Sequence, residues 1–221
     1  MTRLERRRVE MVERQIRRRG ITGPAILTAF AEVPREAFVP EAMAAFAYDD
    51  GPLPIGAGQT ISQPYIVACM IAAAAVRAGD RVLEVGAGSG YAAAVLSRIA
   101  RQVFAIERHE SLAREAAERI AALDYGNCTI VTGDGMAGLP EQAPFDAILV
   151  AARAPEVPEP LERQLAVGGR LVIPVGGGDV QQLRCIERVA TEEWTSRDIA
   201  SVRFVPLLHG VAAGGDRPPG T

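Results

Sequence analysis

Short apolar runs alternate with amphipathic patterns through the second half of the chain. The apolar runs lie at 82–85, 102–106, 128–131, 145–150 and 170–174, and the helical patterns lie at 91–99, 110–123 and 158–166. Strands that alternate with helices at this spacing predict βαβ units, which build a parallel sheet with right-handed crossovers. We therefore expect an α/β fold with a doubly wound, mostly parallel sheet.

The chain before this alternation predicts helices instead. Residues 1–19 carry eight arginines together with Val9, Val12 and Ile16 at helical spacing, which indicates an amphipathic helix ended by Gly20. Two or three short helices are expected within residues 22–47.

A second stretch of this region looks functional. Residues 48–63 are rich in proline and glycine and predict a loop that is too long to serve as a mere connection. The apolar run 65–76 predicts a buried helix, with Ser62 as its expected N-cap and Pro64 in its first turn.

These patterns divide a single domain into three parts. Residues 1–79 form an N-terminal helical and loop region packed on the core, and residues 80–211 form the α/β core. The runs 180–188 and 199–206 predict a C-terminal β extension of antiparallel strands at one sheet edge, and residues 212–221 are expected to be disordered.

Composition and charge favour a cytoplasmic protein. The chain of 221 residues is 48% hydrophobic and 23% charged, with a formal net charge of −3, which gives no reason to expect nucleic-acid binding. No apolar run reaches the roughly 18 residues of a membrane span, and the first residues lack the apolar core of a secretion signal. The three cysteines are too far apart to suggest a metal site or a disulfide framework.

The first candidate for chemistry is the glycine-rich turn Gly86-Ala-Gly88-Ser-Gly90, between the strand 82–85 and the next helix. A strand that stops in glycines and restarts as a helix leaves backbone N–H groups exposed at a helix N-terminus, which suits a nucleotide-like ligand. Similar turns also occur for packing reasons alone, so the pattern by itself is weak.

Acidic residues at neighbouring strand ends add to this turn. Glu84 lies within the first strand, Glu107 follows about twenty residues after the first glycine, and Asp134 lies between Gly133 and Gly135. Because ligands of doubly wound sheets bind at the carboxyl ends of the strands, these groups should meet. The alternatives are a solvated charge for Glu107 and a turn-forming aspartate for Asp134.

The glycine spacing indicates which nucleotide is bound. Dinucleotide folds use G-x-G-x-x-G, whereas this turn has G-x-G-x-G with an acidic residue two positions before it. A nicotinamide oxidoreductase is therefore disfavoured. S-adenosylmethionine fits better, with Glu84 or loop groups at its amino-acid part, Glu107 at its ribose and Asp134 at its adenine.

Several motifs together resemble the bacterial type of protein-L-isoaspartate O-methyltransferase. They are Glu84–Tyr91, Gly133-Asp-Gly135, Ala143-Pro-Phe-Asp146 and Gly168–Gly176, and the most specific one is Gly58-Gln-Thr-Ile-Ser-Gln-Pro-Tyr-Ile-Val-Ala68. The resemblance covers roughly residues 10–208.

This resemblance implies a fold, an activity and a set of site residues. The fold is the Rossmann-like methyltransferase fold, in a monomeric cytoplasmic enzyme without a metal. The activity is methyl transfer from S-adenosylmethionine to the free α-carboxylate of an L-isoaspartyl residue in damaged proteins and peptides, after which the ester closes to a succinimide. Ser62 matches the active-site serine. The positions that match cofactor contacts are Thr60, Ile61, Ser62, Glu84, Gly86, Ala87, Gly88, Glu107, Arg108, Asp134 and Gly135.

Two further hypotheses stay open at this stage. One is an enzyme that esterifies ordinary aspartate in a dedicated peptide substrate, and the other is a non-catalytic cofactor-binding module. For Ser62, a catalytic role and a helix-capping role are both compatible with the sequence.

Overall fold

The computed structural model describes residues 1–212, and its centre is a seven-stranded sheet. A separate two-stranded hairpin lies outside this sheet. The strands are β1 (Leu53–Gly56), β2 (Gln59–Ile61), β3 (Arg81–Val85), β4 (Gln102–Glu107), β5 (Cys128–Thr132), β6 (Phe145–Val150), β7 (Leu165–Val175), β8 (Gln181–Ala190) and β9 (Glu193–Val202).

The order of strands in the large sheet is β5-β4-β3-β6-β7-β8-β9. The pairs from β5 to β7 are parallel, and those of β8 with its two neighbours are antiparallel. Successive strands are added outward from β3 to β5, and the chain then returns to place β6 on the other side of β3. This reversal creates the crevice in which ligands of such sheets bind. The predicted doubly wound, mostly parallel fold with a C-terminal β extension is confirmed.

The sheet is buried on both faces. Val82, Val103 and Ala147 face one hydrophobic cluster, whereas Leu83 and Phe104 face another. Successive side chains of a strand point to opposite faces of the sheet, and both faces are shielded from water. The strands therefore appear as continuous apolar runs in the sequence. The helices are α1 (Arg3–Met11), α2 (Pro24–Glu32), α3 (Pro64–Ala74), α4 (Tyr91–Ser97), α5 (Glu110–Ala122) and α6 (Glu159–Arg163).

The N-terminal helix ends as the sequence predicts, although it is not uniform. After α1 the chain widens into a π-helical turn at Val12–Ile16 and tightens into a 3-10 turn at Arg17–Arg19. Gly20 then ends it in a left-handed conformation, with φ of 93°. Met11 and Ile16 are buried in the same cluster as the sheet, so this region packs on the core.

The predicted loop 48–63 contains the hairpin β1–β2, which sequence analysis missed. Its two antiparallel strands have four and three residues, and their register shifts between Pro54 and Gly56. Strands this short offer too few positions for a period of two to be recognised.

The capping role that the sequence suggested for Ser62 is wrong. The N-cap of α3 is Gln63, whose side chain makes no capping hydrogen bond. Ser62 therefore lies in a two-residue connection between β2 and α3, and its hydroxyl is not engaged in holding the helix.

The C-terminal extension ends earlier than predicted. Since β9 ends at Val202, the following residues leave the sheet and cross its carboxyl edge. Backbone hydrogen bonds of 2.8 Å and 2.7 Å join Arg153 to Val205 and Leu207, and the amide of Ala212 donates to the carbonyl of Arg108 over 2.9 Å. Apart from Ala212, the tail that was predicted to be disordered lies outside the described residues. Within residues 1–212, no helix is both long and apolar enough to cross a membrane.

Asn127, the only asparagine of the chain, ties the end of α4 to the start of β5. Its amide nitrogen lies 2.9 Å from the carbonyl oxygen of Ser97 and 3.1 Å from that of Ala100. These carbonyls lie at and just after the end of a short helix, where the last carbonyl oxygens lack N–H donors from a following helical turn.

We expect Asn127→Asp to destabilise the protein by about 1–3 kcal/mol, because it replaces a half-buried donor by an acceptor that faces carbonyl oxygens. Urea unfolding measures this change. The control is Gln182→Glu, the same exchange at an exposed position with a single 3.3 Å contact, which should cost under about 0.5 kcal/mol. Equal effects of the two substitutions would show that the Asn127 contacts do not stabilise the fold.

Candidate functional site

A cavity of about 460 Å³ opens at the carboxyl ends of β3 and β4. Its walls come from the glycine turn after β3, the end of β4 with the two residues that follow it, the hairpin β1–β2 and the segment 205–208. All of the predicted site residues except Asp134 line it, namely Thr60, Ile61, Ser62, Glu84, Gly86, Ala87, Gly88, Glu107, Arg108 and Gly135. Residues far apart in sequence therefore meet in one place.

The glycine turn shapes the cavity differently from our expectation. The amides of Gly86 and Ala87 donate to the carbonyl of Ile106 over 2.8 Å and 2.9 Å, so they are occupied inside the protein and do not face a ligand. The turn instead leaves room for the hairpin β1–β2 to pack against it. Gly88 has φ of 53°, and a Cβ atom there would lie 3.1 Å from the Cδ1 atom of Ile55 in the hairpin. Glycine at this position lets the hairpin approach the turn closely.

Glu84 is a buried carboxyl group with an unsatisfied oxygen. Its side chain is 2% exposed, and its Oε2 atom has no hydrogen-bond partner among the described residues. Burial raises the pKa of Glu84 well above the ordinary value of 4.5, the nearby charge of Glu107 raises it further, and a hydrogen bond from the amide of Ala93 opposes both. A group in this state suits a cationic ligand, which would both pair with the carboxylate and lower its pKa.

Glu107 ends β4 and links two loops. Its Oε2 atom accepts from the amide of Gly88 and its Oε1 atom accepts from the amide of His109, each over 2.9 Å. These bonds fix the carboxylate at the cavity wall, 5% exposed. Both oxygens keep acceptor capacity beyond one amide each, which is what a ribose diol requires.

Asp134 lies beside the cavity instead of lining it. Its Oδ1 atom accepts from the amide of Met136 over 2.9 Å, which is the turn-forming arrangement, and its Oδ2 atom is 3.8 Å from Nδ1 of His209. The next residue, Gly135, does line the wall. A Cβ atom on Gly135 would lie 2.5 Å from Cγ1 of Val85, so glycine is required for the loop after β5 to pack on β3.

Ser62 lines the cavity from the connection that follows β2. It is half-buried, it lines the wall together with Thr60 and Ile61, and its hydroxyl forms no hydrogen bond with any of residues 1–212. A hydroxyl with free donor and acceptor capacity at the rim of a cavity can bind an anionic group of a ligand. Within the same residues, no cluster of three or more His, Cys, Asp or Glu side chains could hold a metal ion.

The C-terminal wall of the cavity was not predicted from the sequence. Val205, Pro206, Leu207 and Leu208 cover one side of the cavity. Val205 and Pro206 belong to the run 199–206, which was assigned to the C-terminal β extension, and an apolar run of this kind does not distinguish an edge strand from a fold-back.

Comparison with known proteins agrees with this geometry. Residues 6–212 match the family model described as protein-L-isoaspartate(D-aspartate) O-methyltransferase. The chain belongs to this family. The predicted family membership is therefore confirmed, together with the class of S-adenosylmethionine-dependent methyltransferase that it implies.

Similar members of the family include bacterial proteins named protein-L-isoaspartate O-methyltransferase. The one from Methylorubrum populi is 60% identical over 94% of this chain and 98% of its own length. The one from Brucella anthropi is 52% identical over 96% of this chain and 98% of its own length. A crystal structure of the Plasmodium falciparum protein in complex with S-adenosyl-L-homocysteine superposes with a TM-score of 0.80, at 27% identity, over 91% of this chain and 98% of that one.

The burial of Glu84 predicts a pH-dependent stability in the ligand-free protein. Because its pKa is raised on folding, the folded state holds this proton more tightly than the unfolded state does, so stability falls as the pH rises above the ordinary value of 4.5. We expect Glu84→Gln to remove this loss and to raise the melting temperature at about pH 8 more than at about pH 5.

Thermal unfolding across this pH range measures the effect. Glu118→Gln, an exposed carboxyl on α5, is the matched control and should leave the pH profile unchanged. A wild-type profile that Glu84→Gln does not alter would contradict the buried, unpaired state of Glu84.

Proposed function

We propose that this protein transfers a methyl group from S-adenosylmethionine to the free α-carboxylate of L-isoaspartyl residues in damaged proteins and peptides, which starts their repair through a succinimide. Family membership supports this activity. The observation that carries the proposal is one cavity lined both by the carboxylates of Glu84 and Glu107 and by the unengaged Ser62 hydroxyl.

The donor side of the cavity fits S-adenosylmethionine. The buried Glu84 oxygen without a partner suits the amino group of the cofactor, and the carboxylate of Glu107 suits its ribose hydroxyls. Arg108 and Gly135 add to the same wall, and Asp134 lies next to it as a candidate contact to the adenine. When bound, the cofactor supplies a methyl group on a sulfonium centre.

The acceptor side needs little chemistry beyond positioning. A carboxylate has a pKa near 4, so the attacking oxygen of an isoaspartyl residue is already ionised at neutral pH. No general base is required. The Ser62 hydroxyl donates a hydrogen bond to this carboxylate and aligns one of its oxygens, and alignment can account for most of the rate in such a transfer.

Apolar side chains keep the space between the two sides poor in water. Val67, Met70, Leu149 and Leu207 line the same cavity. In such surroundings electrostatic interactions are stronger than in water, so the attraction between the sulfonium charge and the acceptor carboxylate increases. The proposal also includes a monomeric cytoplasmic enzyme without a metal, without nucleic-acid partners and without membrane association.

A pair of matched peptides tests the reaction. We expect base-labile label from radioactive S-adenosylmethionine to appear on an isoaspartyl peptide and to be absent from the same peptide with normal aspartate. Label on the aspartyl peptide alone would instead indicate a dedicated peptide-modifying enzyme. Cofactor binding without any label would indicate a binding module.

Ser62→Ala tests the acceptor side. We expect the kcat for the isoaspartyl peptide to fall by about tenfold to a hundredfold, which corresponds to one hydrogen bond to a charged group. The cofactor dissociation constant and the melting temperature should stay unchanged, because Ser62 does not cap α3. Ser111→Ala, at an exposed position on α5, is the control. A large loss of cofactor affinity would mean that Ser62 acts on the donor instead.

A further inference from the structure

Four side chains near Ser62 contact one another in a row: Gln63, Asp50, Arg19 and Tyr65. We call this group the Asp50 network. The amide nitrogen of Gln63 donates to Oδ1 of Asp50 over 2.6 Å, and Oδ2 of Asp50 is 3.3 Å from Nη1 of Arg19. The guanidinium carbon of Arg19 lies 3.4 Å from the centre of the Tyr65 ring. The contacts thus run from the N-terminal helical segment through Asp50 to both sides of Pro64.

The segment that carries Ser62 has few other attachments. Ser62 and Gln63 alone connect β2 to α3, and neither side chain caps the helix. The strand before them belongs to the small hairpin, which shares no backbone pairing with the seven-stranded sheet. Between the buried residues Ile61 and Pro64, the hydrogen bond from Gln63 to Asp50 is the side-chain hydrogen bond that this connection makes within residues 1–212.

Gln63 also sets the first turn of α3. Its carbonyl accepts from the amides of Ile66 and Val67 over 3.0 Å and 3.3 Å. Because the backbone of Gln63 is continuous with Ser62, a displacement of the Gln63 side chain moves both the helix start and the serine.

We propose that Asp50 is a positioning residue for methyl transfer: its carboxylate holds Gln63, and through Gln63 it fixes the Ser62 hydroxyl against the acceptor. The inference rests on the proposed function. Arg19 supports Asp50 by charge and restrains Tyr65 through a cation–π contact of the kind that stabilises exposed sites modestly. Asp50 itself touches neither donor nor acceptor, as it is not among the cavity residues.

The neighbouring residue Asp49 provides a matched control. Asp49 and Asp50 are similarly exposed, 53% and 46%, and each pairs with an arginine of the N-terminal segment, Arg7 for Asp49 and Arg19 for Asp50. Only Asp50 contacts Gln63. The comparison of Asp50→Ala with Asp49→Ala therefore separates the loss of a surface ion pair from the loss of the link to Gln63.

The first measurement is hydrogen exchange, which does not depend on activity. In Asp50→Ala we expect faster deuterium uptake in the peptide 59–67, since the amides of Ile66 and Val67 report on Gln63. Asp49→Ala should exchange like the wild type there. Equal uptake in the wild type and Asp50→Ala would overturn the proposal, even if the wild type had no activity on isoaspartyl peptides.

The second measurement is steady-state kinetics with the isoaspartyl peptide. For Asp50→Ala we expect kcat/KM to fall by about tenfold or more, as small misplacements of catalytic groups do, with the cofactor dissociation constant and the melting temperature within the range of Asp49→Ala. Gln63→Ala should reproduce the loss, and the double variant should add nothing to it.

The conservative variant Asp50→Asn keeps an acceptor for Gln63 and loses only the charge opposite Arg19, so it should retain most of the activity. An additive double variant, or an equal loss in Asp49→Ala, would overturn the role of Asp50. A wild type that is inactive on isoaspartyl peptides while hydrogen exchange behaves as expected would refute the proposed function and leave the restraint of the 59–67 segment standing.

Discussion

Glu84 imposes the constraint on which the donor side of this protein depends. A carboxyl group at the end of the central strand, buried between the sheet and α4, is costly because burial disfavours its charged form. The surrounding elements relieve this cost only in part: the amide of Ala93 donates a hydrogen bond, but one oxygen has no partner in the described part of the chain, and the neighbouring Glu107 has the same sign of charge. A cationic ligand that pairs with Glu84 removes this burial cost. The removal of the cost therefore contributes to the free energy of ligand binding.

The acceptor side differs from the donor side because its described residues include no buried charged group of this kind. Ser62 is uncharged and half-buried, and it lies in a connection of two residues outside the main sheet. Its surroundings contribute geometry instead of charge, through α3, the hairpin and the Asp50 network. In the proposed reaction, donor and acceptor thus meet in a cavity whose walls are stabilised in different ways, one by a packed sheet and the other by a few side-chain contacts.

Much of the fold and most of the residues that line the cavity wall near Glu84 could be predicted from the sequence. The core strands are buried on both faces and appear as short apolar runs, and strand ends such as Glu84 and Glu107 are recognisable by their distance from the glycine turn. Three features could not be predicted. The hairpin strands are too short to show a period, the amides of Gly86 and Ala87 are occupied by a carbonyl of the next strand, and the fold-back of Val205–Leu208 depends on backbone contacts with Arg153.

The separation of the hairpin from the seven-stranded sheet has an evolutionary consequence. Residues inserted, deleted or exchanged between β1 and β2 alter no register within the core sheet, because no core strand pairs with them. Side chains of the hairpin can thus change without disturbing the pairing of the strands that carry Glu84 and Glu107. A scaffold of this kind lets one short segment of the cavity wall vary while the core sheet is kept.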